Sequence, residues 1–527
     1  MNDSNITKVY LLDVPLESDY KNTLYFTSKA NQQSYFQSCI VKSYTDFTYQ
    51  RKDKIIRIPD IVDNIYHCNY VMYQNSNYSN KWFYCFIDKM EYINDGRTDI
   101  TIETDVIQTW LFDYTVKPSF VEREHVDNDT IGLHTVPEGL ELGEYKVNAS
   151  YHDDKTDNIQ NDFRYIIGLT FDYDTIDDPS LLKFPGDVYN GIYSGCKYYA
   201  VESASEIGIW LNAIDKAGKG DGVVSIFMAP KYLSEKTSGT FKVAPSSEPV
   251  TYEVDIPKLT TLDSYSPRNN KLKTWPYMYM LASNNNGGNV TYHFEKFLED
   301  SDHVNECRFS IKGALTPGCS IRMTPFPYNG AYDNESEALN LGKFPTCSWT
   351  NDAYTNWLTQ NSVNIATNVT SATVSTIAGI GMMATGAGAT VGAGMVAGGV
   401  MGIARSAGEM YQHSLVPPQA SGNLNAGDVI TGAGENCFHF YNMSIKQEYA
   451  KIIDKYFDMF GYKVNMVKTP NKAHRSRWWY TKTIDVNIDG AIPNNDMQMI
   501  KNAYNNGITF WRNASEIQNY NLTNGIV

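Results

Sequence analysis

Alternation of apolar and polar positions dominates the first 125 or so residues. The stretches KIIRIPDIV, KWFYCFIDKMEY and DITIETDVIQTWLF carry β-branched and aromatic residues between clusters of Asn, Asp and Gly, a pattern of strands and turns. In the last stretch Ile100, Ile102, Thr104, Val106 and Gln108 fall on one face and Glu103 and Asp105 on the other, which predicts a half-buried strand. A Pro and Gly loop around Val136 to Gly143 marks a boundary, after which FRYIIGLTFDYD opens a new set of strands. Ser203 and Glu206 have capping-box spacing, and Ile207, Trp210, Leu211 and Ile214 share a helical face, predicting a short amphipathic helix against a sheet. The pieces GVVSIFMAP, TYEVDIP, YMYMLAS, VTYHFEKF, CRFSIKGAL and CSIRMTP follow at the short spacing of a β-sandwich or barrel. Farther on, Tyr449, Ile452, Ile453, Tyr456, Phe457 and Phe460 predict one face of a helix ended by Gly461. Met497, Ile500 and Tyr504 predict the inner face of a second helix, from Pro493 or Asn495 to Tyr504 before Gly507. The reading is a mainly β chain with a few helices, an α+β protein of several domains.

This pattern breaks once. From Ala353 to Ala404 there is no Asp, Glu, Lys, Arg or His, and Ser375 to Ala404 is long enough to cross about 30 Å of hydrocarbon as a helix. Gly and Ala outnumber the large aliphatics, so an isolated helix inserts only marginally. The pairs Gly388 and Gly392, Gly394 and Gly398, and Gly398 and Gly402 permit close helix approach in lipid, favouring insertion of several copies together. The apolar positions that meet lipid in this reading are Ile377, Ile380, Met382, Met383, Val391, Met395, Val396, Val400, Met401 and Ile403. Composition alone fits a Gly and Ala packing hairpin or flexible loop equally well. A nucleotide loop is disfavoured: Gly386, Gly388 and Gly392 have no clear strand before them and no Lys after.

Length adds that 527 residues exceed a single core, at roughly 150 residues per domain. A net charge of −15 argues against gripping nucleic acid by its phosphates; an acidic wall would let DNA slide past, although acidic surfaces more often serve solubility alone. The N-terminus has no basic region followed by an apolar run, so synthesis in a cytoplasm is expected. Eight scattered cysteines without CxxC pairs read as reduced thiols. No HExxH, GxSxG or Walker lysine occurs, so no catalytic residue, cofactor or metal site is assigned. Cys437 and His439 imitate a nucleophile and base, but residues two apart are more simply one β face. Glu122, Glu124 and His125 could hold a cation or make surface salt bridges. Lys463 to Lys482 interleaves Lys and Arg with Trp478, Trp479 and Tyr480, which fits base stacking or, in an acidic chain, a subunit interface.

Three N-terminal stretches (VYLLDVPLESDYKNTLYFTSKANQQSYF, NKWFYCFIDKMEY and ETDVIQTWLFDYTVKPSFVEREHV) and residues 446 to 511 resemble the tail-knob proteins of small phi29-like podophages. The resemblance implies a hexameric knob in which residues 1–145 and 426–527 come together as tube-forming β-barrel domains, residues 146–350 form a distal β-rich domain, and residues 351–425 form an apolar loop that plugs the channel and then penetrates the membrane. It further implies a structural virion protein at the tail tip. Its partners would be further copies of itself, other tail proteins such as collar, tube and tip components, the phage DNA in the lumen and the host cytoplasmic membrane. The alternatives are a tail-tip cell-wall hydrolase or a receptor-binding protein.

Overall fold

The computed structural model describes residues 7–47, 54–75, 79–153, 163–175, 188–189, 192–193, 197–201, 204–233, 235–237, 240–242, 250–285, 287–314, 320–330, 337–342, 346–350, 421–425 and 437–527. The chain is mostly β with a few helices and divides into two compact units. The first takes residues 1–143, 267–272 and 447–527, so the two ends of the chain share one unit; the second takes residues 144–266 and 273–446.

In the first unit a six-stranded antiparallel sheet runs Ile40–Phe47, Thr7–Leu12, Tyr70–Asn75, Trp82–Asn94, Arg97–Thr104, Ile55–Ile58. Its central strands bury both faces. Val9, Leu11, Val71, Tyr73, Phe83 and Cys85 join one core, whereas Leu12, Tyr70, Met72, Tyr84 and Phe86 join a second. The two-residue period sorts neighbours into opposite cores, which is why the sequence there is almost continuously apolar. A five-stranded sheet runs Asn22–Leu24, Ile508–Trp511, Trp478–Ile484, Ser119–Glu124, Tyr462–Lys468. Adjacent residues split in the same way: Trp479 and Phe510 enter the first core, Trp478 and Trp511 the second. Among the described residues these sheets are open, with an edge strand at each end, rather than closed barrels.

The expected strand through Gln108 stops at Thr104. Val106–Trp110 is a helix, because the Asp105 carboxylate accepts from the Gln108 amide at 3.0 Å and caps it. Helix Gln447–Phe460 buries Ala450, Ile453, Asp454 and Phe457, while Ile452, expected inside, is exposed. Gly461 ends it at φ 64°, where an added Cβ would lie 2.1 Å from the Glu124 carbonyl oxygen, so glycine is required twice over. Helix Asn494–Asn506 ends at Gly507 and buries Ile500 and Tyr504 as expected.

The second unit holds a seven-stranded sheet centred on Phe163–Leu169 and Val223–Pro230 and two four-stranded sheets. Helix Ala204–Lys216 buries Ile207, Leu211 and Ile214, and Trp210 stacks on Tyr173 with ring centroids 3.6 Å apart. Ser203 lies outside the described residues.

Candidate functional site: the strand seam of the first unit

Strand Ser119–Glu124 is flanked on both sides by C-terminal strands, Trp478–Ile484 and Tyr462–Lys468, each antiparallel to it. Distant parts of the chain are thereby stitched into one sheet, and buried charges fix the stitch. Arg123 donates to the Gly461 carbonyl at 2.7 Å and forks onto Glu138. Glu138, whose side chain is 1 % exposed, also receives the Lys271 ammonium and the Lys463 amide. Burial pulls the Lys271 pKa down, against the pull of Glu138 upward.

Residues 267–272 are held on further sides. Asp129 accepts the Asn270 amide at 3.0 Å and the Tyr462 hydroxyl at 2.7 Å. Asp454 accepts the Arg268 and Asn269 amides at 2.8 and 3.1 Å. His125 accepts from the Tyr480 amide at Nδ1 (2.8 Å), and its Nε2 lies 3.1 Å from the Asp458 carbonyl, to which it donates in the neutral form. Burial, with Arg475 nearby, holds its pKa well below the usual value, so the ring stays neutral.

This geometry answers the sequence candidates. Glu124 is taken up by Lys468 (2.6 Å) and the Asn471 amide (2.9 Å), Glu122 by Lys482 (2.9 Å), and both His125 nitrogens by backbone, so this trio makes ion pairs and caps rather than a cation cage. Trp478 and Trp479, 0 and 2 % exposed, are core residues, which removes them from both base stacking and an intersubunit face. Arg475 instead ties down the Val126 and Asn524 carbonyls, and Arg477 the Thr523 carbonyl and Glu516. Cys437 Sγ lies 3.4 Å from His439 Nε2, and both residues are buried. The positions from Ile377 to Ile403, with Gly388, Gly392, Gly394, Gly398 and Gly402 among them, lie outside the described residues. Among the described residues no helix is long and apolar enough to cross a membrane.

One surface feature escaped sequence reasoning. Phe120 pairs in register with Val467 on one side and Ile484 on the other, which puts three apolar side chains in a row on one face. They are 36, 71 and 54 % exposed respectively, and the row ends on the edge strand Tyr462–Lys468. The signal was the apolar letters themselves, but only long-range register aligns them.

The family model for the C-terminal domain of the Bacillus phage phi29 tail knob protein gp9 matches residues 242–525, more than half of the chain. The chain belongs to the tail knob family of phi29-like phages. The model of the caudoviral major tail protein N-terminus matches residues 5–115 of this tail knob chain. The tail knob proteins gp9 of Bacillus phages PZA and phi29 are 26 and 25 % identical to it, each alignment covering 98 % of this chain and 97 % of the relative. The tail knob protein gp12 of bacteriophage C1 shares its fold at a TM-score of 0.66 and 16 % identity, covering 99 % of this chain and 100 % of that one. The protein is thus a structural component of the phage tail, and its relatives are structural proteins too.

Proposed function

We propose that copies of this tail knob protein assemble into a ring, a hexamer by family resemblance, whose lumen conducts the phage DNA and whose apolar segments, Ser375 to Ala404, open the host cytoplasmic membrane. The observation that carries the ring is the row Val467, Phe120, Ile484, which ends on a strand that is an edge among the described residues: an edge with exposed apolar side chains is a template for another chain. Closure of the open sheets between copies turns them into a tube. In this reading residues 1–145 and 426–527 build the tube, residues 146–350 the distal part, and residues 351–425 the loop that leaves the lumen for the membrane, while collar, tube and tip proteins are neighbours in the virion. The net charge of −15 supports a conduit, since an acidic wall repels phosphates. The uncharged stretch from Ala353 to Ala404 supports membrane entry, because each charge at a bilayer centre costs about 3 kcal/mol on insertion scales.

Two measurements test the two parts. Particle mass of wild type against Val467→Asp/Ile484→Asp reads assembly; a monomeric double variant with unchanged circular dichroism supports the ring, and an unchanged mass removes its basis. Dye leakage from liposomes, compared between wild type and an equally assembled variant lacking residues 375–404, reads membrane opening. No leakage from wild type at any pH tested rejects that part.

A further inference from the structure

Independently of the assembly reading, the second unit brings together three metal-ligating side chains to which nothing above gives a role. An oxygen of Asp255, a ring nitrogen of His303 and an oxygen of Glu306 lie within 4.8 Å of one another. Asp255 stands on strand Val250–Pro257, Glu306 opens the paired strand Glu306–Ala314, and His303 stands on the loop before it. Among the described residues, neither the Asp255 nor the Glu306 carboxylate has an ion-pair or hydrogen-bond partner, although Arg308 stands opposite Asp255 in the strand register. We infer that Asp255, His303 and Glu306 form a binding site for a zinc-class divalent cation.

The donor set selects the metal. One imidazole nitrogen with two carboxylates suits zinc or manganese, whereas calcium prefers oxygen alone; three protein ligands leave the remaining position to water. The ring is also oriented for the task. Asp300 Oδ1 lies 3.0 Å from His303 Nδ1, the carboxylate behind the histidine that sets the tautomer at metal sites and leaves Nε2 free as the ligand. Arg308 Nη1 lies 2.7 Å from the same Nδ1 and competes: when it donates, the proton of a neutral ring moves to Nε2 and blocks coordination. Metal binding therefore selects the state in which Nδ1–H donates to Asp300, and it ties the loop from Leu298 to Asn305 to strand Val250–Pro257.

The test is calorimetric titration of the full chain, stripped with chelator, with zinc chloride, manganese chloride and calcium chloride in turn. One zinc per chain is expected to be lost in His303→Ala and in Asp255→Asn/Glu306→Gln. Asp300→Asn should weaken zinc about tenfold or more, since Asp300 both orients the ring and holds Arg308 at 3.2 Å, and Arg308→Gln should tighten it. Equal metal-free melting temperatures exclude a folding defect as the cause. Zinc uptake unchanged in the first two variants overturns the site, and so does a calcium affinity above that for zinc.

Discussion

The two units of this tail knob protein bury charge very differently. The described residues of the first bury Asp105, Arg123, Glu124, His125, Lys271, Asp454, Arg475 and Asp496; those of the second bury Asp153, Lys219 and His439. The first unit must hold chain segments hundreds of residues apart in one register. Charged groups that each demand several partners specify it strongly, at an energetic cost if one partner is lost. The second unit also pairs distant segments, Tyr145–His152 with His439–Ile445 among them, but relies on sheet packing, such as the rings of Phe309 against Tyr292, Phe297 and Phe440.

The largest test of this contrast is Trp478→Ala. Its indole stacks near Trp511, with centroids 5.0 Å apart, in the core shared by both chain ends. Truncation should destabilise by about 3–5 kcal/mol. Amide exchange read segment by segment should show lost protection in Ser119–Glu124 and Trp478–Ile484 and retained protection in Phe163–Leu169 and Val223–Pro230. Equal loss throughout would mean that the units do not unfold separately.

Next comes Glu138→Gln, which removes the buried carboxylate charge shared by the Arg123 guanidinium and the Lys271 ammonium. Breaking such a network costs about 3 kcal/mol or more. Urea unfolding of this variant beside Glu138→Gln/Lys271→Met checks the cause: the double variant should regain part of the loss, because one of the two cations goes with the lysine. No recovery would point to shape rather than charge at Glu138.

These two sites also mark where sequence reading reaches and where it stops. The helix ended by Gly461 and the helix before Gly507 were legible because period and cap residues act locally. Val106 to Trp110 was misread because Val106 and Gln108 extend a strand alternation equally well, and only the Asp105 cap decides. The partnership of Glu138 with Lys271 spans 133 positions and has no local signal. The same holds for the row Val467, Phe120, Ile484, which exists only once the register is set. The basic and aromatic run to Lys482 looked like a surface, since its letters do not say which side chains alternate inward. The uncharged segment was legible in composition but lies outside the described residues, so its role rests on the leakage experiment.

Asp105 offers a subtler contrast, a buried carboxylate with no cation. Burial raises its pKa to about 6, although the Gln108 amide, the Tyr70 hydroxyl and the Ile107 amide pull it back. Its folded value is thus above the ordinary 3.8. The stabilising contribution of the protonated form is complete below about pH 3.8 and is lost as pH rises through about 6. The shift corresponds to at most about 3 kcal/mol. In Asp105→Asn, which keeps a capping oxygen, the decline in unfolding free energy between pH 4 and 7 should be smaller than in wild type by about 2 kcal/mol. Identical slopes would show that this carboxylate does not titrate in that window.

The smallest effect belongs to the second unit. Lys197 and Asp172 pair at 2.6 Å, with side chains 22 and 28 % exposed. Burial raises the Asp172 pKa, but the Lys197 ammonium and the Tyr199 hydroxyl, at 2.8 Å, more than offset that and hold it below the usual value. Its stabilising contribution is therefore present above the unfolded value and lost as pH falls through the folded one. Lys197→Ala should cost only about 0.5 kcal/mol at neutral pH, because a partly solvated pair is screened and Tyr199 still satisfies Asp172. That small cost should fade further once acid protonates the carboxylate. A loss near that of Glu138→Gln, read in the same urea titration, would mean that the second unit also depends on single ion pairs for its register, and the contrast between the two units would fail.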